Sequence, residues 1–198
     1  MKKLFIVAVL CFFGISSSNA QVTFKPGLRG GINFAHFTKG DFTNNYYYGY
    51  DPSINSSNRP DYRNKTDFYL GFFGALHLTK YYTLQPEIDY SRQGSKIGSS
   101  SNTYDASYLC VSVVNKFTFN DKFNIHVGPS IDFLVDSNFR VEDPKFDLSF
   151  QLGAGYNFTK NFGIEARIKK GIITVLDDYT NHTNVVFSVG GTYTFDVK

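Results

Sequence analysis

The sequence predicts an all-β fold in which eight antiparallel strands run up and down and close into a barrel. Past residue 21 almost no helical periodicity is present, whereas eight segments alternate apolar and polar residues with period 2. Tight turns and long polar connections alternate along the chain, as in a meander whose neighbouring strands are consecutive. Eight strands are enough to close a small barrel that is filled by its own side chains.

The N-terminal segment predicts a cleaved export signal. Lys2 and Lys3 give it a short positive start, residues 4–15 are apolar, and Ser18-Asn19-Ala20 is a small-x-Ala cleavage site. The apolar run is too short to span a membrane as a helix. We therefore expect residues 1–20 to be a signal peptide and residues 21–198 to form one barrel domain of an exported protein.

Composition excludes several classes of protein. The formal net charge of +3 falls to +1 once Lys2 and Lys3 leave with the signal, which argues against a nucleic-acid partner. An aromatic content of 18% is too high for a disordered chain. Cys110 is the single cysteine after the signal, so no intrachain disulfide framework is expected.

The first four predicted strands cover residues 22–37, 68–78, 82–92 and 108–119. The second carries Leu70 and Phe72 at even positions, and the third sets Ile88 against Glu87 and Asp89 on its other face. The first and fourth show the same contrast, and in the fourth Val111 and Phe117 alternate with Cys110 and Lys116. Each therefore has one face suited to an apolar surrounding and one suited to a polar surrounding.

The last four predicted strands cover residues 123–135, 146–158, 162–172 and 185–197. In the fifth strand Ile125 and Ile131 alternate with His126 and Asp132, and in the sixth Leu152 alternates with glycines and polar residues. The seventh sets Ile164 and Ile168 against Glu165, Arg167 and Lys169, and the eighth repeats the contrast to the end of the chain.

The connections fix the register. Tight turns are predicted at residues 79–81, 120–122 and 159–161, and long loops at residues 38–65, 93–103, 136–144 and 174–183. Centring each tight turn pairs His77 with Thr83, Lys116 with His126, and Gly153 with Arg167. In each pair the polar face meets the polar face, and a slip of one residue would destroy that match.

Two features predict that the apolar face points outward into lipid. Aromatic residues flank the tight turns, as at a membrane interface, namely Tyr82, Phe117, Phe119, Phe123, Phe158, Phe162, Tyr193 and Phe195. The opposite face mixes glycines with ionisable side chains, as a narrow interior requires. The expected fold is thus an eight-stranded antiparallel up-and-down transmembrane β-barrel. A soluble secreted barrel with an apolar interior is the alternative.

Charged residues on the inward face predict ion pairs inside the barrel, because an unpaired buried charge costs several kcal/mol. Our hypothesis is a polar lumen plugged by salt bridges, and the alternative is that the charges line water. Lys25 shares this face. The expected charge network consists of Arg29, Glu87, Asp89, Lys116, Asp132, Asp147, Glu165, Arg167 and Lys169.

Three prolines interrupt the predicted strands at positions 26, 86 and 129. A barrel has no edge strand that could accommodate them, so we expect β-bulges at Pro26, Pro86 and Pro129 on the outward face.

The sequence offers few candidates for chemistry. The four histidines lie on different segments without metal-ligand spacing, so no metal site or cofactor is expected. A lipid-modifying enzyme would need a nucleophile, a histidine and a carboxylate in contact, and the candidates are Ser130 with His77 or His126 and Glu87 or Asp132. Our register points these side chains into the lumen, which favours polar packing and a protein that is not an enzyme.

The first long loop is rich in tyrosine among small polar residues, a composition typical of adaptable recognition surfaces. It makes Tyr46, Tyr47, Tyr48 and Tyr50 a candidate surface for an unidentified protein or glycan partner. The simpler interpretation is a solvated loop whose base extends the adjacent hairpin.

Four segments resemble the PorT-like outer-membrane β-barrel proteins of Bacteroidota-type bacteria. They are residues 84–91 (LQPEIDYS), 127–134 (VGPSIDFL), 150–156 (FQLGAGY) and 191–195 (GTYTF). The resemblance implies residence in the bacterial outer membrane, contact with its lipids and insertion by the barrel assembly machinery. We expect a non-enzymatic role in structure, adhesion, secretion or transport, with the lipid-modifying enzyme and the soluble ligand-binding barrel as alternatives.

Overall fold

The structure is a computed structural model that describes residues 22–38, 41–42, 62–97, 103–139, 145–173, 176–177 and 180–197. The predicted signal peptide lies outside the described residues. Within those ranges no helix is both long enough and apolar enough to cross a membrane.

Eight long antiparallel strands close into a barrel, as the sequence predicts. In chain order the strands are β1 (Thr23–Phe37), β2 (Asp41–Phe42), β3 (Tyr62–His77), β4 (Tyr82–Ile97), β5 (Thr103–Phe119), β6 (Phe123–Ser137), β7 (Phe146–Asn157), β8 (Phe162–Gly171), β9 (Leu176–Asp177), β10 (Thr180–His182) and β11 (Asn184–Thr194). The barrel order is β1-β11-β8-β7-β6-β5-β4-β3, and the pairing of β1 with β11 closes it. Three short strands, β2, β9 and β10, form a separate sheet.

The predicted register is confirmed at all three hairpins. His77 stands opposite Thr83, Lys116 opposite His126, and Gly153 opposite Arg167. The tight turns therefore lie together at one end of the barrel, which we call the turn end, and the longer connections lie at the other, the loop end.

Several strands are longer at the loop end than the sequence predicts. β3 begins at Tyr62 and β4 runs to Ile97, so the predicted loops 38–65 and 93–103 are too long. β5 begins at Thr103, and the short strands β2, β9 and β10 were not predicted at all. The apolar alternation is weak in these segments, and a strand without an apolar face gives no period-2 signal. At the turn end, by contrast, β11 ends at Thr194, short of the predicted Val197.

The barrel has its apolar side chains outside and its polar side chains inside. Leu70 is 58% exposed, Ile88 53% and Leu152 51%, whereas Glu87 is 2% exposed and His126 is fully buried. An exposed apolar band around a closed barrel with a polar interior is the arrangement of a transmembrane barrel. The soluble alternative is therefore wrong, because it requires the apolar side chains to converge at the centre.

The bulges expected at the prolines are not found. In the described pairs that contain them, Pro26, Pro86 and Pro129 stand in unbroken register. Register shifts occur instead towards the loop end, between Asn64 and Tyr69 on β3 and between Ser107 and Tyr108 on β5. In an antiparallel sheet a residue directs both its N–H and its C=O towards the same neighbouring strand. A proline, which has no N–H, therefore loses one hydrogen bond to that strand, while the pairing with the strand on its other side is unaffected.

Inward glycines leave room for particular long side chains. A Cβ atom on Gly71 would collide with the carboxylate of Asp89, and one on Gly153 would collide with the ring of His126. An eight-stranded barrel is only wide enough for side chains to fill, so each large polar group needs a small neighbour. The same relation joins Gly190 to Tyr69, Gly171 to Asp147 and Gly155 to Asn124.

Candidate functional site

The centre of the lumen holds a cluster of four buried ions. Arg29 on β1 donates through Nε and Nη2 to Glu165 Oε1, at 2.9 and 2.6 Å. Arg167 on β8 donates to both carboxylates, at 2.9 Å to Glu165 Oε2 and at 2.7 and 2.8 Å to Glu87 on β4. All four side chains are at most 4% exposed. The cluster therefore joins β1, β4 and β8 across the barrel, with two positive and two negative charges; we call it the central ion cluster.

Neighbouring groups complete the coordination of the central ion cluster. Asp89 accepts from Arg29 Nη1 at 2.5 Å and borders the cluster on the side of β4. The Arg29 guanidinium also lies over the ring of Tyr69, 4.7 Å from its centroid. Gln85 donates to Glu87 Oε1 at 2.7 Å and Ser112 donates to Glu87 Oε2 at 3.3 Å. Charged hydrogen bonds of this kind are the strong ones, and here they are shielded from water.

A second ion pair lies nearer the loop end. Lys169 Nζ donates to Asp132 Oδ2 at 2.6 Å and approaches Cys110 Sγ at 3.3 Å. Asp132 also accepts hydrogen bonds from Ser130 at 2.5 Å and from Ser149 at 3.1 Å. Both oxygens of this buried carboxylate therefore have partners.

Seven of the nine residues predicted to form the charge network make ion pairs in these two groups, and two do not. Asp147 instead accepts backbone N–H bonds from Ile172 at 3.2 Å and Ile173 at 3.0 Å, so it anchors the end of β8. Lys116 faces inward, yet within the described ranges it makes no ion pair. Among the described residues Asp147 and Lys116 thus lack the expected ion pairs, since a shared face does not fix which strand a side chain reaches. Lys25 lies at the turn end, 3.9 Å from Asp196.

A third group of charges, at the loop end, was missed by the sequence reasoning. Lys65 Nζ lies 2.6 Å from Asp67 Oδ2 and 2.5 Å from Asp105 Oδ1, and it donates to the carbonyl of Gln93 at 3.1 Å. Residues 65, 67 and 69 have the parity of the inward face of β3, so extending the alternation back from Phe68 would have found the pair.

Three aromatic rings pack together at the loop end of the barrel. Phe37 is 1% exposed, and its ring centroid lies 6.2 Å from that of Tyr104 and 6.1 Å from that of Phe139. Tyr104 and Phe139 are themselves 4.9 Å apart. Phe139 also packs on the buried cluster that contains Tyr108. We call these three rings the aromatic cap. They lie in or beside the loop-end parts of the strands, where the sequence shows no apolar alternation that would have predicted them.

A small polar cavity remains between the central ion cluster and the Lys169–Asp132 pair. Its volume is about 30 Å³, and its lining includes Tyr69, Asp89, Cys110 and Lys169. The hydroxyl of Tyr69 and Oδ1 of Asp89 are buried without a hydrogen-bond partner in the described structure. A space of this size holds one or two water molecules, which these polar groups can bind.

The candidates for catalysis are not brought together. His126 is hydrogen-bonded through Nδ1 to Asn124 at 3.1 Å, and His77 Nδ1 lies 2.8 Å from Thr83 Oγ1. Ser130 contacts Asp132 without a histidine among its described hydrogen-bond partners. Among the described residues no three His, Cys, Asp or Glu side chains form a group that can hold a metal ion. The tyrosines of the predicted recognition loop, Tyr46, Tyr47, Tyr48 and Tyr50, lie outside the described residues.

Comparison with known proteins gives the barrel a context. A profile of the family described as "Outer membrane protein beta-barrel domain" matches residues 19–177. No curated protein sequence matches the chain significantly.

Three solved structures resemble the barrel, and at their low identities the likeness concerns the fold alone. Neisserial surface protein A has a TM-score of 0.54 at 12% identity, with 86% of this chain and 97% of that chain covered. Ail, the attachment invasion locus protein of Yersinia pestis, has a TM-score of 0.50 at 16% identity, with 86% and 98% covered. The outer membrane protein OprG from Pseudomonas aeruginosa has a TM-score of 0.50 at 11% identity, with 89% and 98% covered.

Proposed function

The chain belongs to the outer membrane protein β-barrel family, and on that basis we propose that it is a non-enzymatic barrel with a plugged lumen whose role is carried by its loop end. In this proposal the tight turns and both termini face the periplasm and the long connections face outward. The role is structural, adhesive or accessory to secretion or transport. The PorT-like resemblance belongs to the same proposal, and its motifs at residues 84–91 and 127–134 lie on β4 and β6.

The observation that carries the proposal is the central ion cluster. Arg29, Glu87, Glu165 and Arg167 come from three strands and meet across the lumen through contacts of 2.6 to 2.9 Å. Ions that pass must break these charge-assisted bonds and leave buried charges unpaired, which costs several kcal/mol. The aromatic cap adds an apolar layer at the loop end, which ions also avoid.

The side chains of the lumen also favour a non-enzymatic role. His126, His77 and Ser130 are hydrogen-bonded to Asn124, Thr83 and Asp132, in that order, rather than to one another. A lipid substrate lies against the opposite, apolar face of the strands. Partners outside the cell would accordingly be met by the loop end, where the tyrosines of residues 46–50 are candidates for a protein or glycan contact.

Single-channel recording tests the plug. The full chain, refolded and inserted in a planar bilayer, should give no large and stable conductance steps. The double variant Glu87→Ala with Arg167→Ala removes both members of one buried ion pair. It should raise the conductance, because the central ion cluster then loses two of its four ions.

Two controls complete the recording experiment. Lys25→Gln removes a charge at the turn end and should leave the conductance as it is in the native chain. The gel shift between boiled and unboiled samples verifies that each variant has formed a barrel. Large stable steps from the native chain would overturn the plugged lumen, even if the barrel itself inserts normally.

A further inference from the structure

From the turn end of the barrel, we infer that two tight turns are binding sites for the headgroups of anionic phospholipids. The inference rests on the proposed function only in that the barrel sits in a membrane. It concerns Lys80 in the turn between β3 and β4 and Lys160 in the turn between β7 and β8.

The two turns have the same construction. Thr79 Oγ1 accepts the backbone N–H groups of Tyr81 and Tyr82 at 3.3 and 3.0 Å. Thr159 Oγ1 accepts those of Asn161 and Phe162 at 3.2 and 2.9 Å. In each case the lysine follows the threonine and is exposed at the tip of the turn.

Hydrogen bonds to the next strand hold both tips in place. The carbonyl of Tyr81 accepts from Thr118 N at 2.8 Å, and the carbonyl of Asn161 accepts from Thr194 N at 2.7 Å. Each lysine therefore stands on a turn that is hydrogen-bonded to a neighbouring strand of the barrel. Because the backbone of the turn is already fixed, binding of a headgroup costs little conformational entropy.

Exposed aromatic rings lie beside each lysine. Tyr81 is 58% exposed, and Lys80 Nζ lies 5.5 Å from its ring centroid. Phe158 and Phe162 flank Lys160, are 53% and 47% exposed, and stack with centroids 5.9 Å apart. Such rings occupy the boundary between hydrocarbon and headgroups, so they place each ammonium group at the depth of the lipid phosphates.

Charge distinguishes these turns from the third one. The turns at Lys80 and Lys160 contain no acidic residue, whereas Lys122 follows Asp121 directly. The remaining described carboxylate at this end, Asp196, is paired with Lys25. Lys80 and Lys160 thus keep a net positive charge that a phosphodiester can neutralise, and they lie on opposite sides of the barrel, separated by β5, β6 and their turn.

The test is the selectivity of the barrel for spin-labelled lipids, measured by electron paramagnetic resonance. The full chain is refolded in phosphatidylcholine bilayers, and the lipid fraction that the barrel immobilises is compared for labelled phosphatidylglycerol and phosphatidylcholine. A preference of about two- to threefold for phosphatidylglycerol is expected, because one lysine near a membrane surface attracts an anionic lipid by roughly that factor or more. The preference should disappear in 1 M salt, which screens exposed charges.

Variants locate the preference. In the double variant Lys80→Gln with Lys160→Gln, the ratio of phosphatidylglycerol to phosphatidylcholine binding should fall at least halfway towards one. In Lys80→Arg with Lys160→Arg, that ratio should stay as it is in the native chain. Lys122→Gln is the matched control and should change it little. A preference that is missing in the native chain, or that survives Lys80→Gln with Lys160→Gln, overturns the inference.

A last control addresses two of the exposed lysines towards the opposite end of the barrel, Lys145 and Lys170. If Lys145→Gln with Lys170→Gln abolishes the preference while the turn variants keep it, the anionic lipid binds at the loop end and the assignment is wrong. The gel shift on boiling reports barrel formation separately, so failure of the lipid site is distinguishable from failure of the proposed function.

Discussion

Glu87 is the residue on which the lumen network depends most. It accepts hydrogen bonds from Arg29, Arg167, Gln85 and Ser112, and its side chain is fully buried. Removing this charge takes charge-assisted hydrogen bonds from two buried guanidinium groups, which must then share the remaining carboxylates, whereas the same change at the surface is screened by water.

Replacing Glu87 by the isosteric glutamine should therefore lower the free energy of unfolding by about 3 to 5 kcal/mol. Urea titration of the barrel in lipid vesicles measures it. The matched control is Lys25→Gln, which breaks a half-exposed contact of 3.9 Å with Asp196 and should cost at most about 1 kcal/mol. Equal losses in the two variants would show that the central ion cluster contributes no more than a surface pair.

Gly71 and Gly191 differ in the space around them. A Cβ atom on Gly71 would collide with the Asp89 carboxylate and lie 2.6 Å from the carbonyl of Ile88. At Gly191 the nearest atoms would be 3.7 and 3.8 Å away, which is ordinary contact.

Gly71→Ala should accordingly destabilise the barrel by about 1 to 3 kcal/mol through overpacking, while Gly191→Ala should stay within about 0.5 kcal/mol of the native chain. The same urea titration compares them. If Gly71→Ala proves as stable as Gly191→Ala, the lumen is looser than the contacts around Asp89 indicate.

At the scale of elements, the tight turns carry their own stabilising hydrogen bonds. The hydroxyl oxygen of Thr159 accepts hydrogen bonds from two backbone N–H groups and so closes the turn between β7 and β8. Asn120 and Asp121 use a different device, since both adopt positive φ, at 51° and 58°, as short hairpin turns require.

Thr159→Val keeps the shape of the side chain but removes the hydroxyl, so it should lower the free energy of unfolding by about 1 kcal/mol. Thr66→Val is the control, because Thr66 is exposed on β3 and its side chain makes no hydrogen bond among the described residues. Thermal or urea unfolding of both variants checks this. A loss at Thr66 as large as that at Thr159 would remove the special role of the turn hydroxyl.

The strand pattern also shows why element boundaries were only partly predictable. The turn ends were found to within a few residues, because both the apolar face and the turn residues change there. The loop ends of β3, β4 and β5 were not, because polar strands such as Tyr62–Asn64 have no apolar face to reveal them. The bulges predicted at the prolines failed for a related reason. The sequence does not show to which neighbouring strand a residue directs its backbone hydrogen bonds.

For the molecule as a whole, the barrel fold can be predicted from the sequence, whereas the contacts inside the lumen cannot. The closed barrel, its register and the outward apolar face follow from parity along each strand, which is a local property. The pairing of Arg167 with Glu87 joins β8 to β4 across the lumen. The same geometry leaves Lys116 without an ion pair among the described residues. Parity says which residues enter the lumen, but the barrel's tilt and width decide which of them meet.

In a bilayer, the apolar face of the barrel should touch lipid while the polar face is sealed inside. Nuclear Overhauser effects between lipid acyl chains and methyl groups, measured on the full chain in bilayer nanodiscs, distinguish the two faces. Methyls of Leu70, Ile88, Val111 and Leu152, all at least 39% exposed, should show cross-peaks to the acyl chains. Methyls of Val114 and Val186, at most 2% exposed, should show none. Cross-peaks from the acyl chains to Val114 and Val186 but not to the first four would show that the barrel turns its other face to lipid.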